Sequence, residues 1–384
     1  AWADSGGMTM GYFSPNPAQD LPLWNWAHRY VLADNFFQGA FGGSFLNHFY
    51  LICSCVPRYG HGGVNPNGGD NPSVSAVEAD GVTLTLAPNS PASALDGPPV
   101  FKLSGNLTPD LYAVNTMMPS FAPSGNAEKT TPPQQTIDLK SATTLVPQTE
   151  TTIGDLLTKA KVNWAYYAGA WDFALTHAPF AAGLSKASPN FRYHHQPFNY
   201  FVAFDPATPE GKANREAHLL DAGVVTDPSV LPDSRFLNDI RTGALPPVAF
   251  YKPQGSVDQH AAYANIADGD HHIAAVLTAL KASPQWKHML VVVTYDEFGG
   301  WWDHASPPKG DRFGPGTRVP ALIISPYAKA GTVDHTPYDT ASILRFITHK
   351  WRLPVLPGIA ARDAALAAHH QPELGDLTGA LMLR

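Results

Sequence analysis

The sequence predicts an α/β fold, a mostly parallel central sheet flanked by helices, and three observations carry that reading. Two apolar, β-branched runs, MLVVVTYDE and RVPALIISPYA, have the composition of buried parallel strands. Stretches with helical spacing alternate with strand-like ones, which favours helices packed on a parallel sheet. The charged fraction is only 15%, with 36 prolines and 32 glycines in 384 residues, as in a loop-rich globular protein.

The elements follow in chain order. LPLWNWAHRYVL reads as a helix, ADNFF as a short strand, and FLNHFYLICS as a second helix after a glycine-rich turn. Between Arg58 and Gln148 the chain turns rich in Pro, Gly, Asn, Ser and Thr, with short alternating runs such as GVTLTLAP. This 58–148 stretch is a loop-and-hairpin insertion within one domain spanning 1–384. Thr152 caps a helix reaching Lys161, and VNWAYYAG alternates as a strand. LPPVAFYKPQGSVDQH reads as strand, loop and then His260 at the strand end, and DGDHHIAAVLTAL is helical. MLVVVTYDE is a buried strand with acids at its carboxyl end; RVPALIISPYA repeats the pattern, and TASILRFITHKW is a covering helix capped by Thr340. No internal repeat is visible.

Bulk properties narrow the function. A net charge of −7 argues against non-specific nucleic-acid binding, which needs a basic field. A phosphate-bearing substrate remains compatible, because one metal ion and a few histidines reverse the field locally. No apolar run approaches the roughly 20 residues of a transmembrane helix. The opening AWADSGGMTMGYF has neither the basic nor the apolar region of a secretion signal. Nine Trp, few Lys and many Pro nevertheless fit an exported, periplasmic or secreted protein. Cys53 and Cys55 lie two apart in LICSC, where a bridge is strained, and read as a buried thiol pair.

Three groups of residues could carry chemistry. Ser44, after two glycines and before a helical run, sits where free backbone N–H groups and the positive helix end make an anion site. It reads as a nucleophile or as a plain N-cap. Asp296 and Glu297, adjacent at a strand end and followed by glycines, suit a divalent cation held by hard oxygen donors, or an exposed acid pair. Asp303 and His304 are secondary. Among 16 histidines, the His194–His195 pair in FRYHHQPFNYF and His260 could neutralise phosphate charge or protonate a leaving group, or be structural. His271 and His272 are structural.

At this point the motifs TMGYF, LADNFFQ, GGSFLNHFYLI, YHHQPFNYF, LPPVAFYKP, VVVTYDEFGGWWDH, RVPALIISPYA and HTPYDTASILRFI, in this order, resemble the bacterial phospholipase C and acid phosphatase family of the alkaline phosphatase superfamily. The resemblance covers nearly the whole chain apart from the 58–148 insertion. It implies an alkaline-phosphatase-like fold with Ser44 as nucleophile and Asn47 as a phosphate-facing or site-supporting amide. It also implies one divalent metal ion on Asp296, Glu297 and Ser44, with His194, His195 and His260 lining the phosphate pocket. His260 is then the leaving-group acid. In relatives a Glu-Asn pair on an earlier strand also holds the metal, and no Glu-Asn dipeptide occurs here. The resemblance therefore implies that the chain lacks the family's amino-terminal segment, with a separate amino-terminal fragment of the same protein as its partner.

The implied reaction is attack by Ser44 on a phosphate ester, a phosphoseryl intermediate, protonation of the leaving alkoxide by His260, and hydrolysis by water. A broad-specificity phosphomonoesterase is the first reading and a phospholipase C-type phosphodiesterase the second. SFLNH lacks the Pro and Arg of a sulfatase motif. A non-catalytic phosphate-binding relative is the rival if the Glu-Asn half-site is truly missing.

Overall fold

The computed structural model describes residues 21–63, 65, 73–93, 96–123, 141–177, 189–261, 263–299 and 303–382. The TMGYF motif and the tryptophans of GGWW lie outside the described residues. The helices are α1 (Leu23–Arg29), α2 (Ser44–Cys53), α3 (Ile153–Lys159), α4 (Trp171–Thr176), α5 (Pro209–His218), α6 (Arg235–Thr242), α7 (Ile266–Ala282), α8 (Thr340–Trp351) and α9 (Pro357–Ala368). The strands are β1 (Val31–Ala33), β2 (Phe36–Phe37), β3 (Trp164–Ala168), β4 (Leu219–Asp221), β5 (Val248–Lys252), β6 (Val291–Thr294), β7 (Ala321–Ile324), β8 (Thr332–Asp334) and β9 (Tyr338–Asp339).

The fold is α/β, and the described strands fall into three sheets. One is all parallel, in the order β4-β3-β5; a second runs β6-β7-β1-β8; β2 and β9 form a parallel pair. Within the four-stranded sheet β1 is parallel to β8, and β7 is antiparallel to both β1 and β6. The two larger sheets share one layer, because alternate residues of each reach the same core. Ala165 and Tyr167 of β3 and Leu322 and Ile324 of β7 pack under Phe236 and Ile240 of α6 and Val276 and Leu280 of α7. On the opposite face, Trp164 and Tyr166 of β3 pack with Phe45 and Phe49 of α2 and Leu344 of α8. Helices therefore cover both faces of an interrupted sheet. Leu107, Val114, Met117 and Leu145 of the 58–148 stretch are buried in the same core as α2, so it packs closely on that wall.

Several local expectations change. Val31 and Leu32 leave the helix for β1, because pairing with both β7 and β8 outweighs a weak helix preference. Asp339, rather than Thr340, caps α8 in a capping box with Ser342, and the Thr340 hydroxyl accepts from the Gly39 N–H at 2.9 Å. The MLVVVTYDE strand pairs antiparallel with β7, and all four residues of β6 are only half-buried. An apolar run signals a strand without specifying its neighbour or its direction. Cys53 and Cys55 form a disulfide instead of a thiol pair. Ser54 between them takes the left-handed conformation (φ 50°) that ends α2, with the two Cα atoms 5.1 Å apart, inside the usual bridging range.

Candidate functional site

The turn before α2 is shaped by side chains that satisfy its backbone. Asn47 is fully buried and donates to the carbonyls of Ala40, Gly42 and Gly43 at 3.0–3.2 Å, while its Oδ1 accepts from Ala40 N–H at 2.8 Å. Its amide is spent supporting the loop. A Cβ on Gly39 would lie 2.7 Å from the Tyr50 side chain, so the close approach of loop to helix requires glycine there. Gln38, also fully buried, donates to the carbonyls of Ala40 (2.7 Å) and Gly42 (3.1 Å) and accepts from Phe298 N–H at 3.0 Å. One side chain thus ties the glycine loop to the turn that follows the acids.

Gly43 is the N-cap of α2 and Ser44 its first residue, so the Ser44 hydroxyl is not consumed by capping. It donates instead to Glu297 Oε1 at 3.1 Å. The other Glu297 oxygen accepts from Gly299 N–H at 2.6 Å, where the backbone turns through φ 63°. The first backbone N–H groups of α2 have no intrahelical partner and surround the hydroxyl with anion-binding donors.

Asp296 lies beside this pair. Its Oδ1 is 3.3 Å from Lys252 Nζ, and its Oδ2 is 3.5 Å from His48 Nδ1 but has no hydrogen-bond partner among the described residues. Burial pushes this carboxyl upward, but Lys252 and His48 outweigh it and hold it well below the usual carboxylate range. Glu297 moves the other way, raised by burial and by the Asp296 charge. Burial opposes the charge on Lys252, yet Asp296 and Asp258 raise its pKa above the ordinary value. The ammonium is the charged cation of the site.

The histidines pack as a buried stack. His48 Nδ1 donates to the Ser44 carbonyl at 2.7 Å, and its ring lies 5.7 Å from that of His195 and 5.2 Å from that of His194. His195 Nε2 is 3.7 Å from Asp258, and the Nδ1 atoms of His194 and His195 have no hydrogen-bond partner among the described residues. Burial lowers His48 to about 4, and burial also drives His194 and His195 well below their ordinary value. All three are therefore neutral near pH 7. They offer hydrogen bonds to an anion, and the Lys252 ammonium is the cation beside them.

His260 is not at a strand end. Strand β5 stops at Lys252, and a 3₁₀ turn at Gly255–Val257 intervenes before His260. Its Nδ1 donates to the Ala261 carbonyl at 2.6 Å and its ring stacks on Tyr263 at 4.3 Å. Asp303 pairs with Arg318 at 3.0 Å, a structural role. His272, buried in α7 against Tyr251, is structural as well.

Sequence reasoning brought Ser44, Asp296, Glu297, His194 and His195 together and missed His48, Lys252 and Asp258. His48 was detectable, since it lies four residues after Ser44 on the same helix face. Lys252 carried only the signal of a cation closing the apolar VAFY run.

The donor set suits a hard cation in kind: two carboxylates and a hydroxyl, with one buried carboxylate oxygen left without a hydrogen bond. It is short in number, because among the described residues no three His, Cys, Asp or Glu side chains group as a metal site. No helix of the described residues is long and apolar enough to cross a membrane.

Residues 1–354 match the phosphoesterase family. Similar relatives include the non-specific phospholipase C6 of Arabidopsis thaliana, 32% identical over 126 residues, 26% of this chain and 24% of that one. Phospholipase C B of Mycobacterium tuberculosis is 31% identical over 156 residues, covering 34% of this chain and 30% of its own length. The non-hemolytic phospholipase C of Burkholderia pseudomallei is 26% identical over 267 residues, covering 60% and 35%. The matched stretches thus span 24–35% of these relatives. A solved alkaline phosphatase superfamily structure from Vibrio parahaemolyticus aligns with 97% of this chain and 68% of its own at 11% identity, with a TM-score of only 0.34.

Proposed function

The chain belongs to the phosphoesterase family, and from that premise we propose that it hydrolyses phosphate monoesters through a phosphoserine intermediate on Ser44. The observation that carries this reading is the Ser44 hydroxyl at the start of α2, hydrogen-bonded to Glu297 with Asp296 alongside. A nucleophile there has backbone donors ready for the phosphoryl oxygens.

In the proposed reaction, Ser44 Oγ attacks phosphorus in line with the leaving oxygen while its proton passes to Glu297 Oε1, the acceptor of its hydrogen bond. The Oγ–P bond forms as the bond to the leaving alkoxide breaks. Lys252 and the α2 N–H groups hold the equatorial oxygens, and the neutral histidines offer hydrogen bonds. His260 delivers a proton to the alkoxide, and water then cleaves the phosphoserine. A divalent cation held by Asp296, Glu297 and Ser44 would supply further charge stabilisation. We place its remaining ligands outside the described residues.

Comparing p-nitrophenyl phosphate with its phosphorylcholine diester tests the reading. Faster turnover of the monoester supports it. A clear preference for the diester replaces it with the phospholipase C-type reading, which the names of the relatives favour. Removal of metal with EDTA is expected to abolish hydrolysis, and a divalent cation to restore it; full activity after exhaustive chelation would remove the ion from the mechanism.

The Gln38 bridge yields a further expected result. Gln38→Ala leaves the Phe298 N–H without its partner and the Ala40 and Gly42 carbonyls with Asn47 alone, so Ser44 and Glu297 lose their common anchor. Misplacement of about 1 Å lowers rate on the order of 10²-fold. The expected loss is in kcat, with KM little changed; unaltered kcat would show that the two segments hold their places without it.

A further inference from the structure

Strand β5 delivers Lys252 to the site, and the chain then turns tightly before it reaches His260. Buried Gln254 anchors the start of this turn. Its Oε1 accepts from Val225 N–H at 2.7 Å, and its Nε2 donates to the Val225 carbonyl at 3.0 Å and to Ser256 Oγ at 2.6 Å. Gln259, near the end of the turn, takes the left-handed conformation with φ 65°. Residues with side chains other than Asn, Asp and His seldom adopt it, so something must hold it there. Its side-chain oxygen accepts from the Tyr295 hydroxyl at 2.6 Å.

Asp258 spans that strained residue. Its Oδ1 accepts from His260 N–H at 3.0 Å, so one hydrogen bond closes the turn over Gln259. An aspartate that only shapes a surface turn keeps its carboxylate in water, whereas this side chain is 3% exposed. Burying a carboxylate is costly unless charge and hydrogen bonds offset the lost water. Here the site itself supplies the offset. Oδ2 lies 3.7 Å from His195 Nε2, and burial pushes the carboxyl pKa up while the Lys252 charge opposes it. Asp258 thus joins the backbone of His260 to the histidine stack and to the ammonium. Backbone strain held in place by a buried group marks a residue whose placement serves function.

We propose that Asp258 is the positioning residue for the leaving-group acid, its bond across Gln259 fixing where the His260 imidazole stands. The inference rests on the reading of His260 as that acid. Asp258 touches no substrate and acts only through His260. A leaving group that departs as a stable anion needs little of the proton that His260 delivers, and an alkoxide needs it fully. The effect of losing Asp258 therefore grows with the basicity of the leaving oxygen.

The test compares kcat/KM for glycerol phosphate, an alkoxide leaving group, with that for p-nitrophenyl phosphate. Asp258→Ala is expected to lower the first on the order of 10²-fold, and the second about tenfold less. Asp258→Asn keeps an acceptor for His260 N–H and is expected to recover most of the loss. In a His260→Ala background, Asp258→Ala is expected to cost nothing further for glycerol phosphate. Equal losses on both substrates, no loss on glycerol phosphate, an asparagine variant as impaired as the alanine one, or additive losses with His260→Ala would each overturn the proposal. Gln259→Gly frees the same turn without removing the carboxylate and is expected to show the same dependence at smaller size. If Asp258→Ala does not fold, an equal loss on both substrates from Gln259→Gly overturns the proposal instead. His260→Ala alone separates the two levels of the argument. If it leaves glycerol phosphate hydrolysis intact, the acid assignment falls and this inference with it. If it is impaired while the Asp258 variants are not, only the inference falls.

Discussion

Ser44→Ala is expected to lower kcat for p-nitrophenyl phosphate by about 10³-fold or more, with thermal stability close to that of the parent. The magnitude follows from removing the atom that forms the new bond to phosphorus, while the helix N–H groups and the Lys252 ammonium keep only their contribution to binding. The small effect on stability follows from the hydroxyl's surroundings. Ser44 is half-buried, Gly43 is the N-cap, and the hydroxyl's hydrogen bond goes to Glu297, which keeps its bond from Gly299 N–H. Steady-state assay beside a melting curve separates the two quantities. Retention of more than a few per cent of kcat would remove Ser44 as the nucleophile.

Arg362→Met is expected to destabilise the protein by about 3–5 kcal/mol, the cost of leaving a buried charge without its partner. Arg362 of α9 is fully buried. It donates to Asp311 Oδ2 at 2.7 Å, Asp339 Oδ2 at 3.0 Å and the Gly39 carbonyl at 2.8 Å, and lies over the Tyr50 ring. Asp339 is completely buried and caps α8, and burial pushes its carboxyl pKa up even with the guanidinium present. Methionine fills the aliphatic space and supplies none of the donors. Denaturant titration measures the loss, and Arg362→Met/Asp339→Asn is expected to recover part of it, because the second change removes the stranded charge. A single variant within about 1 kcal/mol of the parent would show that water enters to solvate Asp339, since open sites cost far less.

Much of the architecture was legible because it depends on local signals. The Thr152 cap and the α8 helix of TASILRFITHKW are written in neighbouring residues, and both form, with α3 ending at Lys159 and α8 capped one residue earlier than read. Ser44 and the twin acids meet because strand ends and helix starts are where α/β folds gather chemistry. What was not legible depends on long-range partners. Val31 looks helical until β7 and β8 claim it, and β6 gives no sign in its composition of pairing on one side only. The His194–His195 pair was legible, whereas the burial that lowers their pKa and that of His48 is not displayed by sequence. Lys252 carried little signal for a similar reason: its value to the site comes chiefly from Asp296, 44 residues away in the chain.

The reach of Arg362 has a practical consequence for trimming the protein. Its guanidinium touches Gly39 across a separation of 323 residues, close to the loop that presents Ser44. Any shortening from the carboxyl side that removes α9 therefore strips the support from a loop near the opposite terminus, although α9 supplies no reacting group. The shortest chain that keeps this strut runs through α9 to at least Ala368.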